Sequence, residues 1–148
     1  MEIPNDFREL LELFNAHKVE YLVVGGYALA FHGAPRVTGD IDLFVRPASG
    51  NAERILSVLD AFGFGSLNLV VDDFAKPGNV IQLGVPPVRI DLLTSVTGVS
   101  WEKADAGKVP GSYGDTSVFF IGREDFIANK RATGRTRDAA DLEALGAD

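Results

Sequence analysis

The segment Val37-Thr38-Gly39-Asp40-Ile41-Asp42-Leu43-Phe44-Val45, VTGDIDLFV, carries two aspartates one residue apart in an otherwise largely apolar run. In a strand, residues i and i+2 share a face. Asp40 and Asp42 therefore stand side by side, about 6.6 Å apart at Cα by the strand rise. Ile41, Leu43 and Val45 turn the other way, into a core. Neighbouring carboxylates repel, and burial raises their pKa values. A divalent cation is the obvious compensation, because hard cations take oxygen ligands. The blander reading, a solvated pair on an edge strand, is disfavoured by the apolar flanks and by a nearby Gly25-Gly26 turn.

The surrounding chain supplies a frame for such a strand. Phe7, Leu10, Leu11 and Phe14 recur at helical spacing behind a capping-box pattern, Asp6-Phe7-Arg8-Glu9, which predicts a helix over 6–17. Tyr21-Leu22-Val23-Val24 reads as a strand, broken by Gly25-Gly26, with a short helix over Tyr27 to His32 ended by Pro35. Asp40 to Arg46 is the second strand, and Asn51 to Phe62 a helix. Residues 67–83 read as one or two strands around the turn Lys76-Pro77-Gly78-Asn79. Val88 to Leu93, introduced by Pro86-Pro87, is another strand. Residues 97–115 read as a polar, Gly-rich stretch anchored by Trp101, before a strand over Thr116 to Ile121. Two closing helices follow, Arg123 to Ala132 and Arg137 to Leu145. Early alternation of strands and helices predicts an α/β (α+β) domain with a mixed sheet flanked by helices and a short helical C-terminus.

Composition bounds the function classes. The chain has 148 residues, 46% of them hydrophobic, which fits one domain over 1–148 with a core at about 20–121 and closing helices at about 123–145. No apolar run approaches the roughly 18 to 20 residues that cross a membrane. The first residues, MEIPNDFREL, lack a signal-peptide core. There is no cysteine, which excludes disulfides and thiolate metal sites. Together these features predict a cytoplasmic protein. A net charge of −7 argues against a general nucleic-acid coat protein while leaving room for a local basic site.

A third carboxylate makes the Asp40–Asp42 pair more informative. In Val88-Arg89-Ile90-Asp91-Leu92-Leu93, alternation puts Asp91 on the face of Arg89 and Leu93. A lone strand aspartate is often merely exposed. Three carboxylates on neighbouring strands, however, can hold two Mg²⁺ ions roughly 3.5 to 4 Å apart, the arrangement suited to in-line phosphoryl chemistry. Gly25-Gly26, between a strand and a helix, lets backbone N–H groups approach a phosphate. Alone that turn is a weak signal, and neither a Walker A loop nor a complete GxGxxG is present.

With these residues in view, a resemblance emerges. VVGGYALAFHGAPRVTGDIDLFV, then RIDLL, then REDFIANKRATGRTRDAADLEAL resemble the nucleotidyltransferase fold of the DNA polymerase β superfamily, over about residues 20–145. In particular they resemble the small bacterial AbiEii-like nucleotidyltransferases, many of them toxin–antitoxin components. The resemblance implies a Mg²⁺-dependent enzyme, with two ions, that moves an NMP group from an NTP to a hydroxyl of a protein or RNA acceptor. It also implies a toxin–antitoxin partner protein. On that reading Gly25 and Gly26 contact the triphosphate. Asp40 and Asp42 bind both metals. Asp91 binds the catalytic metal and helps deprotonate the attacking hydroxyl. Thr38 touches a phosphate, and Lys130 meets nucleotide phosphates or the acceptor. The alternative is a non-catalytic nucleotide-binding or antitoxin-type interaction module.

The remaining signals read more plainly. Lys130, Arg131, Arg135 and Arg137 form a basic cluster that suits either phosphates or a solvated helix face. Arg36 is placed to pair with an acid or a phosphate. Asp138 and Asp141 are expected to pair with the arginines. His17 and His32 lack a second ligand at metal spacing, and Tyr27, Phe31 and Phe44 are expected in the core. A two-carboxylate hydrolase is disfavoured, because its acids flank a scissile bond in separately tuned environments rather than standing at i and i+2.

Overall fold

The computed structural model describes residues 5–34, 39–85 and 88–147. Helix α1 (Asn5–Ala16) buries Phe7, Leu10, Leu11 and Phe14 completely, as the helical spacing of those residues requires. The expected cap at Asp6 lies outside the residues whose side chains are described, and Pro35, Arg36, Thr38, Pro86 and Pro87 lie outside the described residues altogether.

Strand β1 (Tyr21–Val24) runs directly into α2 (Gly25–Phe31), and β2 (Asp40–Val45) returns antiparallel beside β1. The short helix thus begins at Gly25, two residues ahead of the expected start. A buried Asn51 in α3 (Ser49–Phe62) fastens the outer ends of both strands. It accepts from the Glu20 N–H at 2.8 Å and donates to the Glu20 and Arg46 carbonyls, each at 3.0 Å. Ile41, Leu43 and Val45 are all fully buried, as the alternation from Asp40 demands.

Two stretches fold differently from expectation. The first half of residues 67–83 is not a strand; Val71–Ala75 forms helix α4, after a single 3₁₀ turn at Gly65–Leu67. Its start is fixed by the Asp73 carboxylate, which accepts from the Val70 N–H at 2.7 Å, and Phe74 is carried fully into the core. Only β3 (Val80–Val85) is extended. Within the supposed irregular stretch 97–115, helix α5 (Trp101–Ala106) is capped by Ser100, whose Oγ accepts from the Lys103 N–H at 3.2 Å. Strand β5 (Val109–Tyr113) follows it. Trp101 does anchor the segment: it is 5% exposed and meets Phe44 edge-on at 5.1 Å.

With β4 (Val88–Leu93) and β6 (Thr116–Phe120), the strands form a six-stranded mixed sheet in the order β3-β4-β2-β1-β6-β5. The β2–β4 and β1–β6 pairs are parallel and the other three pairs antiparallel. Helix α1 packs on α3 and β6, and α4 packs on α3. The chain closes with α6 (Arg123–Thr133) and α7 (Thr136–Ala144), which pack on each other. Among the described residues no helix is long and apolar enough to cross a membrane.

Candidate active site

The parallel pairing of β2 with β4 decides the arrangement. Its register sets Asp40 opposite Arg89 and Asp42 opposite Asp91. Directly paired residues share a face, so three carboxylates and one guanidinium crowd a small area of sheet. On the other side of β2, Val24 pairs with Asp42, which brings Gly25 against that carboxylate. Gly25 has φ +68°, and a Cβ there would overlap the Asp42 carboxylate. Only glycine satisfies both demands.

The electrostatics follow from this crowding. Asp42 is pushed up to about 6 by burial and then by the neighbouring charges of Asp91 and Asp40, with Lys130 acting in the opposite direction. Arg89 neutralises the other two acids. Its Nε donates to Asp91 Oδ1 at 3.0 Å, and its Nη2 donates to Asp91 Oδ2 at 3.2 Å and to Asp40 Oδ2 at 2.9 Å. Asp91 itself is 7% exposed.

Helices α6 and α7 bring a second charged group to the same place. Lys130 is buried, with its Nζ 3.5 Å from Asp138 Oδ1, 3.8 Å from Asp141 Oδ2 and 5.2 Å above the Phe126 ring. Asp138 is fully buried and held well below the usual carboxylate range, chiefly by Arg135. Arg135 donates through Nε at 2.8 Å and through its backbone N–H at 3.1 Å, and the Thr133 hydroxyl adds a further bond. The expected pairing of Asp138 with an arginine is thus present, and a lysine joins it. Of the basic cluster, Lys130, Arg135 and Arg137 line the cleft described next; Arg131 instead donates to the Ala147 carbonyl at 3.0 Å.

These groups border one open cleft of about 490 Å³. Val24, Gly25, Gly26, Asp40, Asp42, Arg89 and Asp91 come from β1, α2, β2 and β4. The turn before β3 and the loop after β4 contribute Gly78, Asn79, Ser95, Val96 and Thr97. That rim is tied together where the Asn79 N–H donates to Thr94 Oγ1 at 2.9 Å and the Thr94 N–H to the Asn79 carbonyl at 2.9 Å. Asn129, Lys130, Thr133, Arg135 and Arg137 complete the lining from α6 and α7.

Six of the seven residues singled out in the sequence, Gly25, Gly26, Asp40, Asp42, Asp91 and Lys130, therefore line a common cleft. The seventh, Thr38, lies outside the described residues. Sequence reasoning passed over Arg89, although its place two residues before Asp91 on the same strand face was a usable signal. Phe31 departs from the expected core position: it is 42% exposed and stacks on Phe120 at 4.1 Å. Tyr27 and Phe44 are buried as expected. His32 is structural, with Nε2 2.7 Å from the Ile121 carbonyl.

Among the described residues no three carboxylate or imidazole groups are gathered as a closed metal centre. The Arg89 fork draws Asp40 and Asp91 onto a guanidinium instead. The donor set still suits a hard divalent cation. It offers only carboxylate oxygens, two of the carboxylates adjoin across paired strands, and Gly25 leaves the approach to Asp42 free of a side chain.

No family model and no curated protein matches the chain. Solved structures do. A candidate nucleotidyltransferase of Thermotoga maritima, TM1012, superposes with a TM-score of 0.63 at 14% identity, covering 94% of this chain and 89% of its own. The fold is that of the nucleotidyltransferases. The lincosamide antibiotic adenylyltransferase LnuA, solved with lincomycin bound, is similar with a TM-score of 0.57 at 13% identity, covering 97% of this chain and 96% of its own. A nucleotidyltransferase fold agrees with the mixed sheet and flanking helices expected from the sequence.

Proposed function

We propose that this chain is a divalent-metal-dependent nucleotidyltransferase that moves an NMP group from an NTP to an acceptor hydroxyl. The observation that carries the reading is the in-register placement of Asp42 opposite Asp91, beside Asp40, in a cleft kept open by Gly25. Asp40, Asp42 and Asp91 would hold the metal, Mg²⁺ on this reading. Bound there, the cation would supply Lewis-acid activation of the hydroxyl and neutralise charge on the departing pyrophosphate. Asp91 would take up the hydroxyl proton. Gly25 and Gly26 would let the triphosphate approach the backbone closely; with α2 only two turns long, that close approach matters more than the helix dipole. Thr38 would touch a phosphate. Lys130, already oriented by Asp138 and Asp141, would meet the phosphates as a point charge.

A protein or RNA acceptor, with a partner protein of the toxin–antitoxin kind, is what the sequence resemblance implies. A small-molecule hydroxyl is the second reading, favoured by the likeness to an adenylyltransferase solved with lincomycin bound. One experiment tests both. The protein is incubated with each α-³²P-labelled NTP and Mg²⁺, in parallel with cell extract and with a panel of hydroxyl-bearing antibiotics. Label transferred to protein, RNA or antibiotic names the acceptor class, and Asp42→Asn is expected to abolish it. No transfer to any acceptor from any NTP, with nucleotide binding intact, would favour a non-catalytic nucleotide-binding module.

A further inference from the structure

We propose that Arg89 is a displaceable stand-in for the metal: it holds the carboxylates together in the metal-free protein and withdraws when the cation binds. The inference rests on the reading of Asp40, Asp42 and Asp91 as metal ligands. Its basis is the set of atoms Arg89 occupies. Its fork takes both carboxylate oxygens of Asp91, at 3.0 and 3.2 Å, and Oδ2 of Asp40 at 2.9 Å. A hard cation needs those same oxygen lone pairs. The guanidinium and the ion therefore compete for the same atoms.

Two further observations make exchange, rather than permanent pairing, the better account. The Arg89 side chain is 27% exposed and lines the cleft, so it has open space to enter on release. The Arg89–Asp40 pair, with side chains 27% and 35% exposed, is screened and modest in strength, unlike the buried Lys130–Asp138 pair, whose side chains are 10% and 0% exposed. The register also explains why a cation must be present at all. Arg89 lies on the same strand face as the acids it serves and offsets part of the repulsion among Asp40, Asp42 and Asp91, as Lys130 does at Asp42. Arg89 is thus a positioning residue, keeping the ligands close to their working places before the metal arrives.

The test uses the intact protein with Mg²⁺ or Mn²⁺ alone. In ¹H–¹⁵N spectra of the wild type, the Arg89 Nε–H signal, assigned by its absence in Arg89→Lys, is followed during a Mg²⁺ titration. Displacement predicts that this signal shifts or exchanges out with the midpoint of Mg²⁺ binding. Calorimetry with Mn²⁺ then compares wild type, Arg89→Lys and Asp42→Asn. Lysine keeps the charge but loses the two-pronged grip. Arg89→Lys is therefore expected to bind Mn²⁺ roughly tenfold tighter, the worth of about one charge-assisted hydrogen bond. An Nε–H signal unmoved at saturating Mg²⁺, or an Arg89→Lys affinity equal to wild type, overturns the stand-in role while leaving the metal site intact. Undiminished Mn²⁺ binding by Asp42→Asn overturns the ligand assignment beneath it.

Discussion

Asp42 titrates at about 6 in the folded protein against an ordinary value of 3.8. The folded state therefore holds this proton more tightly than the unfolded chain, and stability falls as pH rises from about 4 to about 6. In EDTA the wild type is expected to melt higher at pH 5 than at pH 7. Asp42→Asn should flatten that slope and raise stability at pH 7 by about 1–3 kcal/mol, while losing Mn²⁺ affinity. Thermal melts at both pH values check this; a lower melting temperature for Asp42→Asn at pH 7 would make Asp42 a structural residue. Gly25 gives a second expectation. Gly25→Ala combines a left-handed φ of +68° with overlap on Asp42, whereas Gly33, at φ +106°, has nothing within 4 Å of an added Cβ. Gly33→Ala is expected to cost about 1–3 kcal/mol of backbone strain and to leave nucleotide binding alone. Gly25→Ala should cost at least as much and abolish metal and nucleotide binding by calorimetry. The sequence marked the Gly25-Gly26 pair but not which member mattered, because a positive φ and a neighbouring carboxylate are properties of the folded backbone.

Two adjoining helices carry the cleft's cationic wall. The α6–α7 pair is pinned by Asp138, which is fully buried and bonded to Arg135 and Thr133 with Lys130 beside it. Removing it strands a buried lysine. Asp138→Ala is expected to destabilise by about 3 kcal/mol or more in urea unfolding. A loss below 1 kcal/mol would mean that Lys130 leans mainly on Asp141. The pH signature is opposite in sign to that of Asp42. The Asp138 carboxyl is lowered by folding, so its contribution is complete above the ordinary value of 3.8 and is lost as pH falls through the lower folded value. Elements were legible where one periodicity dominated, as in α1, β1 and β4. They were misread in 67–83, where Leu67, Leu69, Val70 and Val71 look extended by composition, and in 97–115, where glycines and polar residues look irregular. The deciding events there are the Asp73 and Ser100 caps and the burial of Phe74 and Trp101, which local propensity does not weigh.

The whole molecule assembles its cleft from segments far apart in the chain. Val23 of β1 pairs with Phe120 of β6, and β2 pairs with β4 across the intervening α3, α4 and β3. A mixed sheet was legible from the alternation of elements. The strand order was not, because long-range parallel pairing leaves no local pattern behind. The same topology sets a hydrogen-exchange expectation. Mg²⁺ with an NTP should protect amides at the start of α2, in β2 and β4, and in α6 and α7. Amides of the groove around Asn15, Lys18 and Ser117, on other elements, should be unchanged. Protection confined to that groove would relocate the nucleotide.

The register that sets Asp42 against Asp91 has a consequence for laboratory evolution. Sliding β4 by two residues would keep every side chain on its present face and exchange a like-charged neighbour of Asp42 for Arg89. The native pairing instead keeps one like-charged pair, Asp42 against Asp91, beside the Asp40–Arg89 match, a local charge conflict inside an otherwise consistent register. A mutant library ranked by heat resistance alone should therefore enrich neutral residues at position 42 early. Each such winner would be a sturdier protein with a silent cleft, so selection for robustness here has to be run with metal or nucleotide binding as a second sieve.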